Sequence, residues 1–371
     1  MLVAHLTSVH PADDVRIYVK QSRTLDEAGY RVTLVAPQGR LPSDGSGVQI
    51  VPVRRREARL ARMVRTTWDV FQRARDMKAE IVHFHDPELI PAGLLLKIIG
   101  RRVIYDVHEN VPDQVLSKDW LPRILRGPVA RVMDLTERLS ARLFDAIVAA
   151  TPDIAGRFPP HKTIIVQNFP LLSEFASREG LVPGGTRRDL VYVGGIAEAR
   201  GIIEMVDAMA ILKREKPGIC LNIAGRFLNT SLEERVRTMD GATLVRFLGW
   251  QSRDEVSSLL SSAIAGLVVL HPTPSYQRSY PVKLFEYMAA GIPVIASDFP
   301  LWREIVEEAG CGLLVDPHDP RAIADAAIWL SEHEGEAQAM GAAGAAAVHS
   351  RFNWSHEAQK LLCLYARLAS T

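Results

Sequence analysis

Short aliphatic or β-branched runs alternate with helix-length segments along the whole chain, and this alternation limits the fold more than any other feature. In the first half the runs are LVAHLTS, RVTLVAP, GVQIVPV, EIVHFHD, RVIYDVH, DAIVAAT and TIIVQN. After a break they resume as DLVYVGG, CLNIAG, TLVRFLG, AGLVVLHP, PVIASD and CGLLVD. The segments between them are long enough for crossover helices, and Val15, Tyr18, Val19, Ser22 and Leu25 are spaced for one helical face. Strands joined by such crossovers run parallel, so the expected class is α/β with two doubly wound sheets. The chain has 371 residues, enough for two cores. Residues 169–188, FPLLSEFASREGLVPGGTRR, carry scattered apolar residues and a Pro-Gly-Gly cluster and read as a linker. The expected division is therefore 1–168, the linker, 189–351, and a final helix at 352–371. Two such units facing each other would leave a cleft at the carboxyl ends of their strands.

Composition removes several function classes. A formal net charge of +1 does not suit a dedicated nucleic-acid binder. Cys220, Cys311 and Cys363 are distant from one another, odd in number and set in apolar segments, which suggests neither disulfides nor a zinc site and implies a reducing cytosol. The start MLVAHLTSVHP has no basic region followed by an apolar run, and no run approaches a membrane span, so a cytoplasmic location is expected.

Chemistry concentrates in SYPVKLFEYMAAGIPVIASD, residues 279–298. Pro281 suits the start of a helix, which puts Lys283 in the first turn and Glu286 one turn later on nearly the same face. A lysine there sits at the positive end of the helix dipole. Free backbone N–H groups, dipole and ammonium would all attract one anion, such as a phosphate or diphosphate, and Glu286 would accept from a ribose diol. An ordinary Lys–Glu pair is the alternative. Arg200, at another helix start in GGIAEARG, repeats the anomaly.

Together with HFHDPELIPAGLLL, VIYDVHE, VYVGGIAEARGI, IAGRF, RFLGW and RFNWSHEAQKLLCLYARL, the stretch KLFEYMAAGIPVIASD resembles the retaining glycosyltransferases of family 4, also called glycosyltransferases group 1. The resemblance implies the GT-B fold: two facing Rossmann-like domains, with a C-terminal helix returning to the first. It also implies a nucleotide-sugar donor, UDP-, GDP- or another. Glu286 would meet the ribose, while Ser279, Tyr280, Pro281 and Lys283 at the helix start, with Gly194, Gly195 and Arg200, would meet the diphosphate. His108 would lie beside the donor sugar, and the catalytic set would be His108, Arg200 and Lys283. Two positions depart from the family pattern. Arg278 stands eight residues before Glu286, where a second glutamate is usual, and Gly194 or Gly195 stands where an arginine is usual, leaving Lys283 to replace that cation.

His108 and Glu109 follow a strand, where ligand residues of open α/β sheets project. In HFHD, His83 and His85 point the same way along a strand, but no third metal ligand is evident; His85 and Asp86 are expected to line the cleft instead. There is no Asp-x-Asp sequence, so neither metal nor another cofactor is expected, and protein cations would stabilise the leaving diphosphate. Arg16 and Lys20, at i and i+4 after a cap at Asp13 or Asp14, would face either solvent or an anionic acceptor. RRREARLARMVR at 54–65 carries six arginines, and SKDWLPRILRGPVARV mixes Trp120, Leu121, Ile124 and Leu125 with basic residues. Each reads either as a helix packed on the sheet with its charges in water or as a basic amphipathic element at an anionic membrane surface.

The expected function is transfer of a sugar, with retention, to a glycan or a lipid-linked acceptor, either free in the cytoplasm or at the inner membrane face. A nucleotide-sugar epimerase of the same fold and a non-catalytic sugar-nucleotide binder are the alternatives. A nicotinamide oxidoreductase is a general α/β alternative that the lack of G-x-G-x-x-G after any strand counts against.

Overall fold

The computed structural model describes residues 1–39, 45–54, 56, 58, 62–116, 121–175 and 189–370. The chain forms two compact units, Met1–Asn168 together with Trp354–Thr371, and Phe169–Asn353. Of the segment expected as a linker, residues 176–188 lie outside the described residues.

In the first unit the strands are β1 (Leu2–Leu6), β2 (Arg31–Pro37), β3 (Gln49–Val53), β4 (Ile81–Phe84), β5 (Arg102–Val107), β6 (Ala146–Ala149) and β7 (Thr163–Ile165). They pair in the parallel order β3-β2-β1-β4-β5-β6-β7, so the direction of winding reverses between β1 and β4. Loops after the strands beside that reversal are where open α/β sheets place ligand groups. Alternate residues point to opposite faces. Ala4, Leu6, Val82 and Phe84 enter one apolar core, and His5 and His83, paired in register, face the other way. Asp14 caps α1 (Val15–Ser22), accepting from the N–H groups of Arg16 and Ile17, and α1 is wound as a π-helix. Among the described residues the longest helix of the unit is α2 (Arg123–Leu143).

The second unit repeats the pattern with β8 (Asp189–Val193), β9 (Leu221–Ala224), β10 (Val245–Gly249), β11 (Ala263–Val268), β12 (Val294–Ser297) and β13 (Gly312–Val315), in the order β10-β9-β8-β11-β12-β13. Both of its faces are apolar. Leu190 and Tyr192 pack with Val206 and Met209 of α3 (Ile202–Glu215), while Val191 points opposite, toward Leu284 and Phe285 of α4 (Val282–Ala289). The last helix, α5 (Trp354–Ala369), belongs to the first unit, where the Trp354 Nε1–H donates to Thr24 Oγ1 at 2.9 Å and the Tyr365 hydroxyl lies 2.8 Å from His83 Nδ1.

The arginine-rich stretch 54–65 is only partly described: residues 55, 57 and 59–61 lie outside, as does Trp120. Within it, Arg56 is an internal partner, donating to Asp69 at 2.6 Å. No helix among the described residues is long and apolar enough to cross a membrane.

Candidate functional site

In the second unit the loop after β8 and the start of α4 come together. Pro281 is the N-cap of α4, which places Lys283 in the first turn. The Lys283 ammonium is buried and lies 3.7 Å from the centre of the Tyr192 ring. It has no hydrogen-bond partner among the described residues. Burial, with the Arg200 charge adding to it, lowers the Lys283 pKa well below the ordinary lysine value, against the opposing pull of Glu286. Gly194 has φ +133°, and a Cβ there would come within 3.3 Å of the Lys283 Nζ; one on Gly195 would come within 3.0 Å of Arg200 Nη1. These two glycines hold the backbone close to the cations. Arg200 donates to the Gly195 carbonyl at 3.0 Å and to the Tyr276 hydroxyl at 3.5 Å, both neutral acceptors. Two cations thus meet at the start of a helix, and neither is hydrogen-bonded to a carboxylate among the described residues.

Glu286 is buried and accepts from Arg253 Nη1 at 2.9 Å, while Arg253 also binds Glu174. The carboxylate is therefore held by an arginine from another helix and is not simply paired with Lys283. Arg253 was not among the expected site residues, yet the sequence carries a signal for it. It is the first residue of a helix whose N-cap Ser252 and Glu255 form a capping box, and a cation at that end of a helix is the same anomaly that singles out Lys283. Ser279 donates to the Tyr276 carbonyl at 3.1 Å, and its own carbonyl accepts from Trp302 Nε1 at 2.8 Å. Tyr280 packs its ring against Phe169 and Phe285. Arg278 is exposed and donates to the Pro274 carbonyl at 3.2 Å.

In the first unit, the loops after β1 and β5 bring His10 to His108, with 3.2 Å between their Nε2 atoms. His10 also stands 3.3 Å from Asp14 and 3.4 Å from Asp86. Burial opposes charge on His10, but the hydrogen bond to Asp14 and the charges of Asp86, Asp14 and Glu109 prevail and raise its pKa to about 9. His108 moves the opposite way, lowered by burial and by the neighbouring Arg16 and His10 charges, although Asp106 pulls it up. The pair is accordingly one imidazolium and one neutral imidazole. With Nε2 of His108 accepting from His10, the His108 proton resides on Nδ1, which is buried without a partner among the described residues and is available to donate to a ligand. Glu109 is exposed and accepts from Gln114.

Four expected acceptor-side residues are not where the sequence reading puts them. Arg16 is buried, donating from Nε and Nη2 to the two Asp106 carboxylate oxygens at 3.0 and 2.8 Å and from Nη1 to the Val166 carbonyl. Lys20 is buried as well and donates to Asn168 Oδ1 at 2.7 Å. Neither faces solvent or an anionic acceptor, because α1 lies over the polar face of the sheet, where Asp106 is waiting. His85 does not line an open cleft: it is buried, 3.0 Å from Asp106 and 2.9 Å from His5. Asp86 is buried behind His10 and accepts from Thr7 Oγ1 and from the Ser8 N–H, each at 2.7 Å.

The structure also supplies what HFHD lacked, a third potential metal ligand. His5, His83 and His85 bring ring nitrogens within 4.8 Å of one another, and Glu204, His271 and His318 bring their ligand atoms equally close in the second unit. His5 is invisible to local spacing because strand pairing brings it there. In the first trio the nitrogens are mostly committed to each other, to Tyr365 and to Asp106, and burial lowers His5 and His83 well below the ordinary histidine value. His5 and His85 are hydrogen-bonded to each other and His83 joins them through the Tyr365 hydroxyl, so a metal would have to break the His5–His85 contact.

Comparison with known proteins follows the division of the fold. The profile described as "Glycosyl transferases group 1" matches residues 173–347, and "Glycosyl transferase 4-like domain" matches residues 17–164. The phosphatidyl-myo-inositol mannosyltransferase of Mycobacterium leprae is 26% identical over 290 residues, covering 72% of this chain and 75% of that protein. Among solved structures, sucrose-phosphate synthase from Thermosynechococcus elongatus superposes with a TM-score of 0.77 at 18% identity, covering 100% of this chain and 99% of that one. Anabaena HepE, in complex with UDP and glucose, gives 0.73 at 15% identity over 98% of this chain and 99% of that one. With both profiles matched in order and the two parallel-sheet units of the GT-B fold present, this chain belongs to the group 1 glycosyl transferases and is a glycosyltransferase.

Proposed function

We propose that the protein transfers a sugar, with retention, from a nucleoside diphosphate sugar to a lipid-linked glycan. The observation that carries the donor half is the pairing of Lys283 and Arg200 against Gly194 and Gly195, with no carboxylate hydrogen-bonded to either cation among the described residues. A diphosphate satisfies that demand, and the start of α4 adds its own N–H groups. Glu286, held by Arg253, would accept from the ribose. The UDP and glucose bound in the HepE complex support a donor of this class.

In the proposed reaction the bond from the anomeric carbon to the diphosphate oxygen breaks first. Arg200, Lys283 and the helix start then take up the leaving charge, a kind of stabilisation often worth ~3 kcal/mol per donor group. The acceptor hydroxyl attacks from the same face and passes its proton to the departing phosphate oxygen. Neutral His108, donating from Nδ1, would steady the sugar. Protein cations fill the place a divalent ion would take, so chelator should leave turnover intact. The M. leprae relative, a phosphatidyl-myo-inositol mannosyltransferase, supports a lipid-borne acceptor, and the protein would then work on the cytoplasmic membrane face as a peripheral protein.

Calorimetry with UDP, GDP and ADP tests the site. One of them should bind the wild type, and Lys283→Ala and Glu286→Ala should each weaken that binding. Unchanged affinity in both variants would remove the assignment. Analysis of products by NMR separates transfer from epimerisation of the donor.

A further inference from the structure

Helix α2 presents its amphipathic faces in reverse. Its buried positions are Ala130, Glu137, Ser140 and Ala141, that is, small or polar residues. Six of its seven large aliphatic side chains, Ile124, Leu125, Val132, Leu135, Leu139 and Leu143, form an exposed set, Ile124 by 84% and Val132 by 63%, and the seventh, Val129, is exposed beside it. At helical spacing these six fall within one sector of about 100°, opposite the buried face. The inward charge is fully engaged, since Glu137 accepts from the Tyr105 hydroxyl at 2.7 Å and from Arg157 at 2.6 Å. The orientation is therefore fixed by packing and cannot be relieved by rolling the helix. The helix Ile90–Ile98, which packs against α2, adds exposed Leu95 and Ile98.

Charge identifies what covers this face. Arg131, Arg138 and Arg142 are exposed along one border of the aliphatic stripe. Only Arg138 forms an ion pair among the described residues, with Asp134 at 2.8 Å. A stripe of Leu, Ile and Val without aromatic or hydrogen-bonding side chains does not resemble the centre of a protein interface, where Trp, Tyr and Arg dominate. It does match a helix that lies in the plane of a bilayer surface, aliphatic side down, with arginines at the headgroup level. A helix of 21 residues laid flat extends about 30 Å along such a surface.

We propose that α2 is the element by which this protein docks onto an anionic lipid surface. The proposal extends the reading of a lipid-linked acceptor, which it would bring within reach, and it assigns docking to α2 and not to the arginine-rich stretch at 54–65.

The test is flotation of the full chain with vesicles of phosphatidylcholine and phosphatidylglycerol, against vesicles of phosphatidylcholine alone. The wild type should float with the anionic vesicles and much less with the neutral ones. Val132→Asp/Leu135→Asp/Leu139→Asp should lower the bound fraction about tenfold while the protein still unfolds in one cooperative thermal transition, because all three side chains are already exposed by about half or more. Arg131→Glu/Arg142→Glu, which spares the stripe, should weaken binding to anionic vesicles alone. Three results would overturn the proposal: no flotation of the wild type, equal flotation of the aspartate variant, or a wild-type dimer in sedimentation that the aspartate variant abolishes. The acceptor reading fails separately. If the aspartate variant loses vesicle binding but the only acceptor found is a water-soluble glycan, docking stands and the lipid-linked acceptor does not.

Discussion

The two sheets share a winding pattern but differ in what they bury. The second sheet is apolar on both faces, with Leu190 and Tyr192 on one and Val191 on the other. In the first sheet one face is apolar, while the other buries His5, His83, His85 and Asp106 under Arg16, Lys20 and Gln21 from α1. Nearly every polar side-chain atom on that face has a partner among the described residues, with His83 Nε2 and Gln21 Oε1 as exceptions. A charged layer can be built into a core when the partners satisfy each other, but it tolerates the loss of any one of them poorly. The second unit shows the opposite arrangement: a forgiving core, and an unsatisfied ammonium kept at the place where a ligand is needed.

The contrast should show most in Arg16→Met. Asp106 would be left buried without its bidentate partner, and the expected loss is about 3–5 kcal/mol, read by urea unfolding. Arg16→Met/Asp106→Leu should recover only part of that loss, because His85 Nδ1 and Gln21 Nε2 also lose Asp106 as their partner. If Arg16→Met cost less than about 1 kcal/mol, as for an exposed pair, the polar face would not be the rigid layer described. On the second unit, Lys283→Ala should weaken nucleoside diphosphate binding by about 1–3 kcal/mol in calorimetry without lowering the thermal midpoint of the unliganded protein, since no described hydrogen bond is lost.

Much of this was written in the chain. Twelve of the thirteen described strands lie within the runs that alternation picks out, and β11 starts two residues before its run; Lys283, Arg200 and His108 fall at strand or helix ends, with Glu286 one turn further on, because those ends are set by local pattern. Arg16 and Lys20 were not legible as core residues. Nothing in ADDVRIYVK tells that Asp106, ninety positions away, lies beneath. His5 and His10 were missed for the same reason: their partners come from strand pairing, which spacing along one strand cannot reveal. The outward stripe of α2 was half visible, since the pattern gives an amphipathic helix but not which side the sheet takes.

The third effect depends on pH. His10 has a pKa of about 9 in the folded protein against an ordinary histidine value of 6.5, so its stabilisation is complete below that lower value and is lost as pH rises through the upper one. Stability should therefore fall by on the order of 1–2 kcal/mol across this window. His10→Gln should flatten that slope, and an unchanged slope would mean that His10 is not the charged partner of His108. The smallest effect is expected from Tyr365→Phe, which removes the hydroxyl beside His83 and should cost about 1 kcal/mol in denaturant unfolding.

The contact between Tyr365 and His83 spans 282 positions, and it sets an order of events in the making of the protein. The first sheet is translated early, but α5, which supplies part of the cover for its polar face, leaves the ribosome only after the whole second unit. At ordinary elongation rates that interval is on the order of 15–60 s. Through that time the nascent first unit carries His83 and His5 without the Tyr365 hydroxyl that finally meets them, while the second unit, closed by residues of its own, can fold at once. Of the two units, the one begun first is thus the one finished last, and a chain cut short before α5 would leave His83 of the first sheet without its Tyr365 cover.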